Sequence, residues 1–198
     1  MSNASLLLIR HAESVWNAAG LWQGHADPPL SARGRAQAER LAQALRGEPI
    51  DRLVASDLRR AAETARIVGR ARGLEPRLEA GLRELDVGSW SGLTRAEIAL
   101  RDADALARFE AGDALARAGG GETRRELRAR VQYCIRALLD ESAGARVALV
   151  AHLGVIRVLR GAAELANAQW CVLRPDAIAA APAGALRRAA PCIEQMPT

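Results

Sequence analysis

At 198 residues and 49% hydrophobic content, with no low-complexity tract, the chain has the size of one compact domain with a full core, spanning residues 1–198. No apolar run approaches the roughly 20 residues of a membrane span, and Met1 to Arg10 lacks the basic start and long apolar middle of a secretory signal, so a cytoplasmic protein is expected. The net charge is +5, yet every one of the 28 basic residues is Arg and aromatics are only 3%, which reads as compositional bias and not as a nucleic-acid face with stacking platforms.

The elements follow in chain order. Leu6 to Ile9 is a short continuous apolar run ending in a polar cluster, the pattern of a buried parallel strand. Ser31 to Arg46 carries apolar residues at helical spacing, with Ser31 as N-cap. Ile50 to Ala55 predicts a second strand, and Asp57 to Arg72 a helix stopped by Gly73. Gly81 to Gly121 lacks strong strands, contains short helical patterns, and predicts a lid or cap over one end of the sheet. Gly119, Gly120 and Gly121 break the chain before a helix over Glu122 to Glu141, with Gly144 after it. Arg146 to Ala151 predicts a third strand followed by another helix, and Trp170 to Cys192 has mixed signals with one or two edge strands. This alternation predicts an α/β protein with three α/β/α layers and a mainly parallel central sheet. Cys134, Cys171 and Cys192 show neither C-x-x-C nor metal-finger spacing and read as reduced thiols.

In such sheets ligands sit outside the carboxyl ends of the strands. The first strand ends in Arg10 and His11, the second in Ser56 with Arg60 four residues on, and the third in Ala151 and His152. Alone, each histidine reads as a surface or packing residue and Arg60 as a solvated helix residue. Together they make a concentrated positive site suited to a phosphate dianion, in which neighbouring guanidinium groups keep His11 neutral and nucleophilic. Arginine neither ligates nor tolerates a cation, so a metal site is disfavoured.

Five segments resemble, in order, the motifs of the histidine phosphatase superfamily, the phosphoglycerate-mutase-like group. They are R-H-A-E-S-x-W-N, W-Q-G-x-x-D-P-P-L-S-x-x-G-x-x-Q-A, S-D-L-R-R-A-x-E-T-A, R-E-L-D-V-G-S-W-S-G-L and A-H-L-G-V-I-R, covering Leu6 to about Arg157. The resemblance implies a phosphoglycerate-mutase-like fold in which His11 accepts the phosphoryl group while Arg10, Arg60 and His152 hold its oxygens. It makes Arg60, and not Arg59, the binding arginine. Glu84 falls at the general-acid position, where it would protonate the leaving oxygen and later take a proton from water. Asn17 matches a phosphate contact, and Gln23 and Gly24 a substrate-edge turn. Ser14 is expected to cap the helix after the nucleophile, His25 to be a surface residue near the substrate edge, and Trp16, Trp22 and Trp90 to divide between pocket wall and packing. Leu153 stands where the family often has a Gly that lends its N–H to phosphate. Leucine disfavours positive φ, so either that peptide is in an ordinary conformation or the contact is altered.

The resemblance implies a small phosphorylated substrate, no cofactor and no metal, with no nucleic-acid or membrane partner; oligomeric state stays open, a homodimer among the options. E-L-D-V-G in place of E-R-x-Y-G, with the short chain, favours a phosphomonoesterase over a cofactor-dependent phosphoglycerate mutase. Length and the G-G-E-T-x-x-E-L-x-x-R stretch that begins at Gly120 resemble alpha-ribazole phosphatases. A catalytically silent phosphate-binding module is disfavoured because all five expected positions are filled.

Overall fold

The computed structural model describes residues 5–161 and 164–173. Five strands form one sheet in the order β3-β2-β4-β1-β5: β1 (Ser5–Arg10), β2 (Arg52–Ser56), β3 (Arg77–Glu79), β4 (Arg146–Ala151) and β5 (Trp170–Leu173). The first four are mutually parallel, and β5 closes the β1 edge antiparallel. Successive side chains of a strand point to opposite faces, which sorts the apolar strands between two cores. Leu6 and Leu8 of β1 and Val147 and Leu149 of β4 face α6 (Arg124–Glu141) and α7 (Leu153–Arg160), where they meet Val131, Ile135 and Val155. Leu7, Ile9, Ala148 and Val150 face α2 (Ala32–Ala44) and α3 (Arg59–Arg70), meeting Leu41, Ala61, Ala65 and Val68. Three layers result, as the alternation predicts. Each fully buried Leu or Ile contributes about 1.5–3 kcal/mol of transfer free energy.

Ser31 caps α2 as expected, accepting from Gly34 N–H at 2.9 Å. The helix predicted from Glu122 begins at Arg124, because Thr123 and Glu126 form a reciprocal capping box. Asp57 likewise stays outside α3, which starts at Arg59. Ser14 caps the short α1 (Val15–Ala18) in a second such box with Asn17.

The stretch from 80 to 123 holds single turns of 3-10 helix plus α4 (Arg95–Arg101) and α5 (Ala103–Glu110). Its Leu82, Leu85, Trp90, Ile98 and Phe109 extend the core on the α6 side. Trp22, Trp90 and Phe109 interlock there with ring centroids 5.4 to 5.8 Å apart, two of the three contacts edge-on. β5 realises one of the edge strands expected between Trp170 and Cys192; the rest of that range, Cys192 included, lies outside the described residues.

Candidate active site

Because β1, β2 and β4 run parallel with β4 in the middle, their carboxyl ends deliver Arg10 with His11, Ser56 with Arg60, and His152 to one edge of the sheet. His11 N–H extends the ladder to Ala151 C=O at 2.9 Å. The His11 carbonyl accepts from Asn167 Nδ2 at 2.9 Å, and Ala12 N–H donates to Thr64 Oγ1 at 3.0 Å. Thr64 in turn donates to the Arg60 carbonyl at 2.7 Å, so the turn of α3 that carries Arg60 and the loop that carries His11 are joined through one hydroxyl.

The His11 ring lies 2.7 Å through Nδ1 from the Ala12 carbonyl. A carbonyl can only accept, so Nδ1 carries the proton and Nε2 keeps its lone pair. Burial, then the Arg60 charge, push the His11 pKa well below 6.5, against the smaller opposing effect of the Ala12 hydrogen bond. Imidazole at neutral pH is therefore uncharged here, with Nε2 as a nucleophile of defined tautomer. His152, fully buried, stacks behind it with ring centroids 5.0 Å apart and a tilt of 59°. Burial and Arg60 also lower its pKa well below 6.5.

Arg60 is 1% exposed, and its two terminal nitrogens donate to Ala26 C=O at 2.8 Å and Gly24 C=O at 2.9 Å. Burial takes its pKa down to about 10, still a cation at neutral pH. Arg59 points outward to Glu63 at 2.6 Å, dividing the pair as the motif implies. Arg10 is anchored by Leu165 C=O at 2.7 Å. Among the described residues, five buried side-chain nitrogen or oxygen atoms have no partner, and four of them are here: Arg10 Nε, Arg60 Nε and both ring nitrogens of His152. The two arginine N–H groups and the one N–H of the neutral His152 ring are buried donors without acceptors, which is costly, and an oxyanion would satisfy them.

Glu84 approaches from the other side. Its Oε1 accepts from Leu85 N–H at 2.8 Å and its Oε2 from Gly154 N–H, near the start of α7, at 3.1 Å. Arg83 pairs with Asp57 instead, holding that carboxyl below its usual range, and among the described residues Glu84 has no ion-pair partner. The main chain around Glu84 is clamped by Arg130, which donates to the carbonyls of Gly81 and Arg83 at 3.0 Å and of Glu84 at 3.3 Å while paired with Glu122 at 2.7 Å. His25 Nε2 donates to the same Glu84 carbonyl at 2.9 Å. This histidine is thus a backbone anchor and does not line the cleft.

Asn17 Oδ1 accepts from Ser14 N–H at 3.1 Å, which turns the NH2 of this cleft-lining side chain into its free donor. Gln23 Oε1 sits 2.8 Å from the Ser14 hydroxyl. Gly24 has φ of +50°, and a Cβ there would meet Val87 at 2.7 Å, so the turn that offers its carbonyl to Arg60 requires glycine. Leu153 has an ordinary helical backbone as the first residue of α7, where its N–H has no acceptor within the helix, and it lines the cleft. Of the tryptophans, Trp22 lines the cleft. Trp90 is core, donating to Asp102 at 3.0 Å, and Trp16 packs over Gly92.

Arg10, His11, Asn17, Trp22, Gln23, Gly24, Arg60, Glu84 and Leu153 border one cleft of about 320 Å³, and His152 lies behind its wall. Its wall carries five arginines, Arg10, Arg60, Arg124, Arg128 and Arg157, against the single carboxylate Glu84. Among the described residues no cluster of three His, Cys, Asp or Glu side chains is placed to hold a metal ion. Thr64, Gly154, Arg128 and Arg157 lay inside quoted motifs without an assigned part, whereas nothing around Asn167 signalled its contact.

An uncharged imidazole, two guanidinium groups and a carboxyl thus border one cleft at the strand ends of a three-layer α/β fold. Residues 6–176 match the model of the histidine phosphatase superfamily (branch 1), and the chain belongs to that family. It is 39% identical over 181 residues to a glucosyl-3-phosphoglycerate phosphatase of Mycobacterium tuberculosis, covering 85% of this chain and 79% of that protein. Identity is 36% over 159 residues to phosphoglycerate mutase-like protein 4 of Arabidopsis thaliana, covering 79% and 69%. The alpha-ribazole phosphatase structure from Shigella flexneri superposes with a TM-score of 0.76 at 30% identity, covering 85% of this chain and 89% of that one. These matches put the chain among phosphatase-type hydrolases. Among the described residues no helix is long and apolar enough to cross a membrane.

Proposed function

We propose that the protein is a metal-independent phosphomonoesterase that works through a phosphohistidine at His11 on a small phosphorylated metabolite. The observation that carries this reading is the set of unpartnered donors on Arg10, Arg60 and His152 grouped about a neutral His11 whose Nε2 is free. A tetrahedral oxyanion supplies acceptors for all of them. His11 Nε2 attacks phosphorus as the ester P–O bond breaks, and Glu84 gives its proton to the leaving oxygen. Water then attacks the phosphohistidine, Glu84 takes a proton back, the P–N bond breaks, and inorganic phosphate leaves with His11 restored. Arg10 and Arg60 stabilise charge on the equatorial oxygens in both steps, with His152 and Asn17 as further donors; fixed positive charge of this kind does most of the work in phosphoryl transfer. The 81–121 segment, which brings Glu84, Leu85, Val87 and Phe109 to the cleft wall, serves as its lid.

The test is turnover of p-nitrophenyl phosphate and 3-phosphoglycerate in EDTA. Wild type releases phosphate from both, and His11→Ala abolishes release. Efficient isomerisation of 3-phosphoglycerate would make the protein a mutase instead, and unaffected turnover in His11→Ala would remove His11 from the chemistry.

A further inference from the structure

The cleft extends beyond what a phosphoryl group needs. Besides the residues set about His11, its wall holds the apolar Trp22, Phe109, Leu127 and Val158 and three further arginines, Arg124, Arg128 and Arg157. Arg124 and Arg128 stand one turn apart on the same face of α6. Arg157, from α7, is close enough to act electrostatically on both Arg124 and Arg10, so it bridges the outer basic group and the inner one. Arg95, Arg108, Arg117 and Arg130 each hold a carboxylate, and within the cleft group Arg157 shares its charge with the exposed Glu164. Among the described residues Arg124 and Arg128 have no such partner. Arg124 lies over the Phe109 ring at 3.8 Å and donates to the Phe109 carbonyl, which fixes the guanidinium without neutralising it. Arg128 is half-buried and makes no side-chain hydrogen bond among the described residues. Like charges brought together on a partly desolvated wall repel one another, and an anion removes that cost.

We propose that Arg124, Arg128 and Arg157 form a second oxyanion subsite, and that the substrate is a phosphomonoester whose carbon skeleton carries a second anionic group, a carboxylate or another phosphate, to that end of the cleft. This inference rests on the phosphatase reading for which end takes the reacting phosphate. The apolar side chains of the same wall receive the skeleton, and these three arginines select against monoesters that end in a neutral group.

Two ligand pairs test it. 3-Phosphoglycerate and glycerol 3-phosphate differ by a carboxylate against a hydroxymethyl group; fructose 1,6-bisphosphate and fructose 6-phosphate differ by the distant phosphate. For each pair, kcat/KM is measured with wild type, and Kd by calorimetry with both wild type and His11→Ala. The doubly anionic member of at least one pair is favoured by about tenfold or more, the worth of one charge-assisted hydrogen bond. Which pair shows the preference tells carboxylate from phosphate. Arg128→Gln and Arg124→Gln each reduce the preference severalfold, whereas Arg136→Gln, exposed on the same helix, leaves it intact. Equal affinity within both pairs, or a preference unchanged in the Arg124→Gln/Arg128→Gln double variant, overturns the subsite. Failure of the two readings is separable: turnover without preference removes only the subsite, and binding preference without turnover of any ester removes only the phosphatase.

Discussion

Replacing Gly154 with alanine perturbs the proposed acid without touching it chemically. A Cβ at position 154 would lie 2.1 Å from Glu84 Oε1, where real contacts stay above 3.0 Å. The carboxylate must therefore retreat by about 1 Å, losing its bond from Gly154 N–H and straining that from Leu85 N–H. A misplacement of about 1 Å costs on the order of 100-fold in rate when orientation matters. The helix does not suffer, since alanine is better than glycine in a helix by roughly 1 kcal/mol, so Tm holds or rises. The loss depends on the leaving group. An alkoxide needs its proton and p-nitrophenolate hardly does, so kcat on 3-phosphoglycerate falls on the order of 100-fold and kcat on p-nitrophenyl phosphate falls far less. Steady-state kinetics on both esters, with a thermal melt, make the measurement. Equal losses on the two esters, or full activity on both, would refute the reasoning.

Stability should decline in mild acid. The depressed pKa values of His11 and His152 mean that below about pH 6.5 the unfolded chain takes up protons the folded chain refuses, so stability is complete above that pH and falls as pH drops toward the folded values. Each histidine contributes up to about 1.4 kcal/mol per pH unit, and urea midpoints at pH 7 and 5 should show a smaller drop in His11→Asn than in wild type. Inorganic phosphate should raise Tm, by the equivalent of about 2.7 kcal/mol at 100 times its Kd, and a thermal shift assay should find most of that gain missing in Arg60→Met. Arg130→Met leaves the partly buried Glu122 without its partner and three backbone carbonyls without their donor, and should cost about 2 kcal/mol in urea unfolding, part of it recovered in the Glu122→Gln/Arg130→Met double variant.

The strand ends were legible because sequence and space coincide there: a buried strand is a continuous apolar run, and the residue after it is at the sheet edge by construction. His11, Arg60 and His152 fall out of that rule, and the five-motif order adds Glu84. β3 escaped because Arg77, Leu78 and Glu79 hold one apolar residue, too few for any period to register. The anchors escaped for another reason. Asn167, His25 and Arg130 act on backbone carbonyls, and a carbonyl leaves no mark in the sequence of its partner. His25, expected at the surface near the substrate edge, in fact holds the Glu84 carbonyl. Arg124 and Arg128 were hidden by their own abundance, since in an arginine-rich chain only their place on the cleft wall distinguishes them.

The bonds that fix the first strand's end come from the far end of the described chain. Arg10 reaches Leu165 and His11 is held by Asn167, separations of 155 and 156 residues, and both of β1's neighbours, β4 and β5, lie beyond residue 145. Closing a loop of that length costs about 4.5 kcal/mol in chain entropy, more than any one of those hydrogen bonds returns, so the pairing forms only as part of a whole sheet. During synthesis the proposed nucleophile is made 156 residues before Asn167, which holds its carbonyl, and so waits long for its setting. Until then Leu6 to Ile9 is an apolar strand with no partner on either side, the segment of this chain with most need of protection from aggregation before it folds.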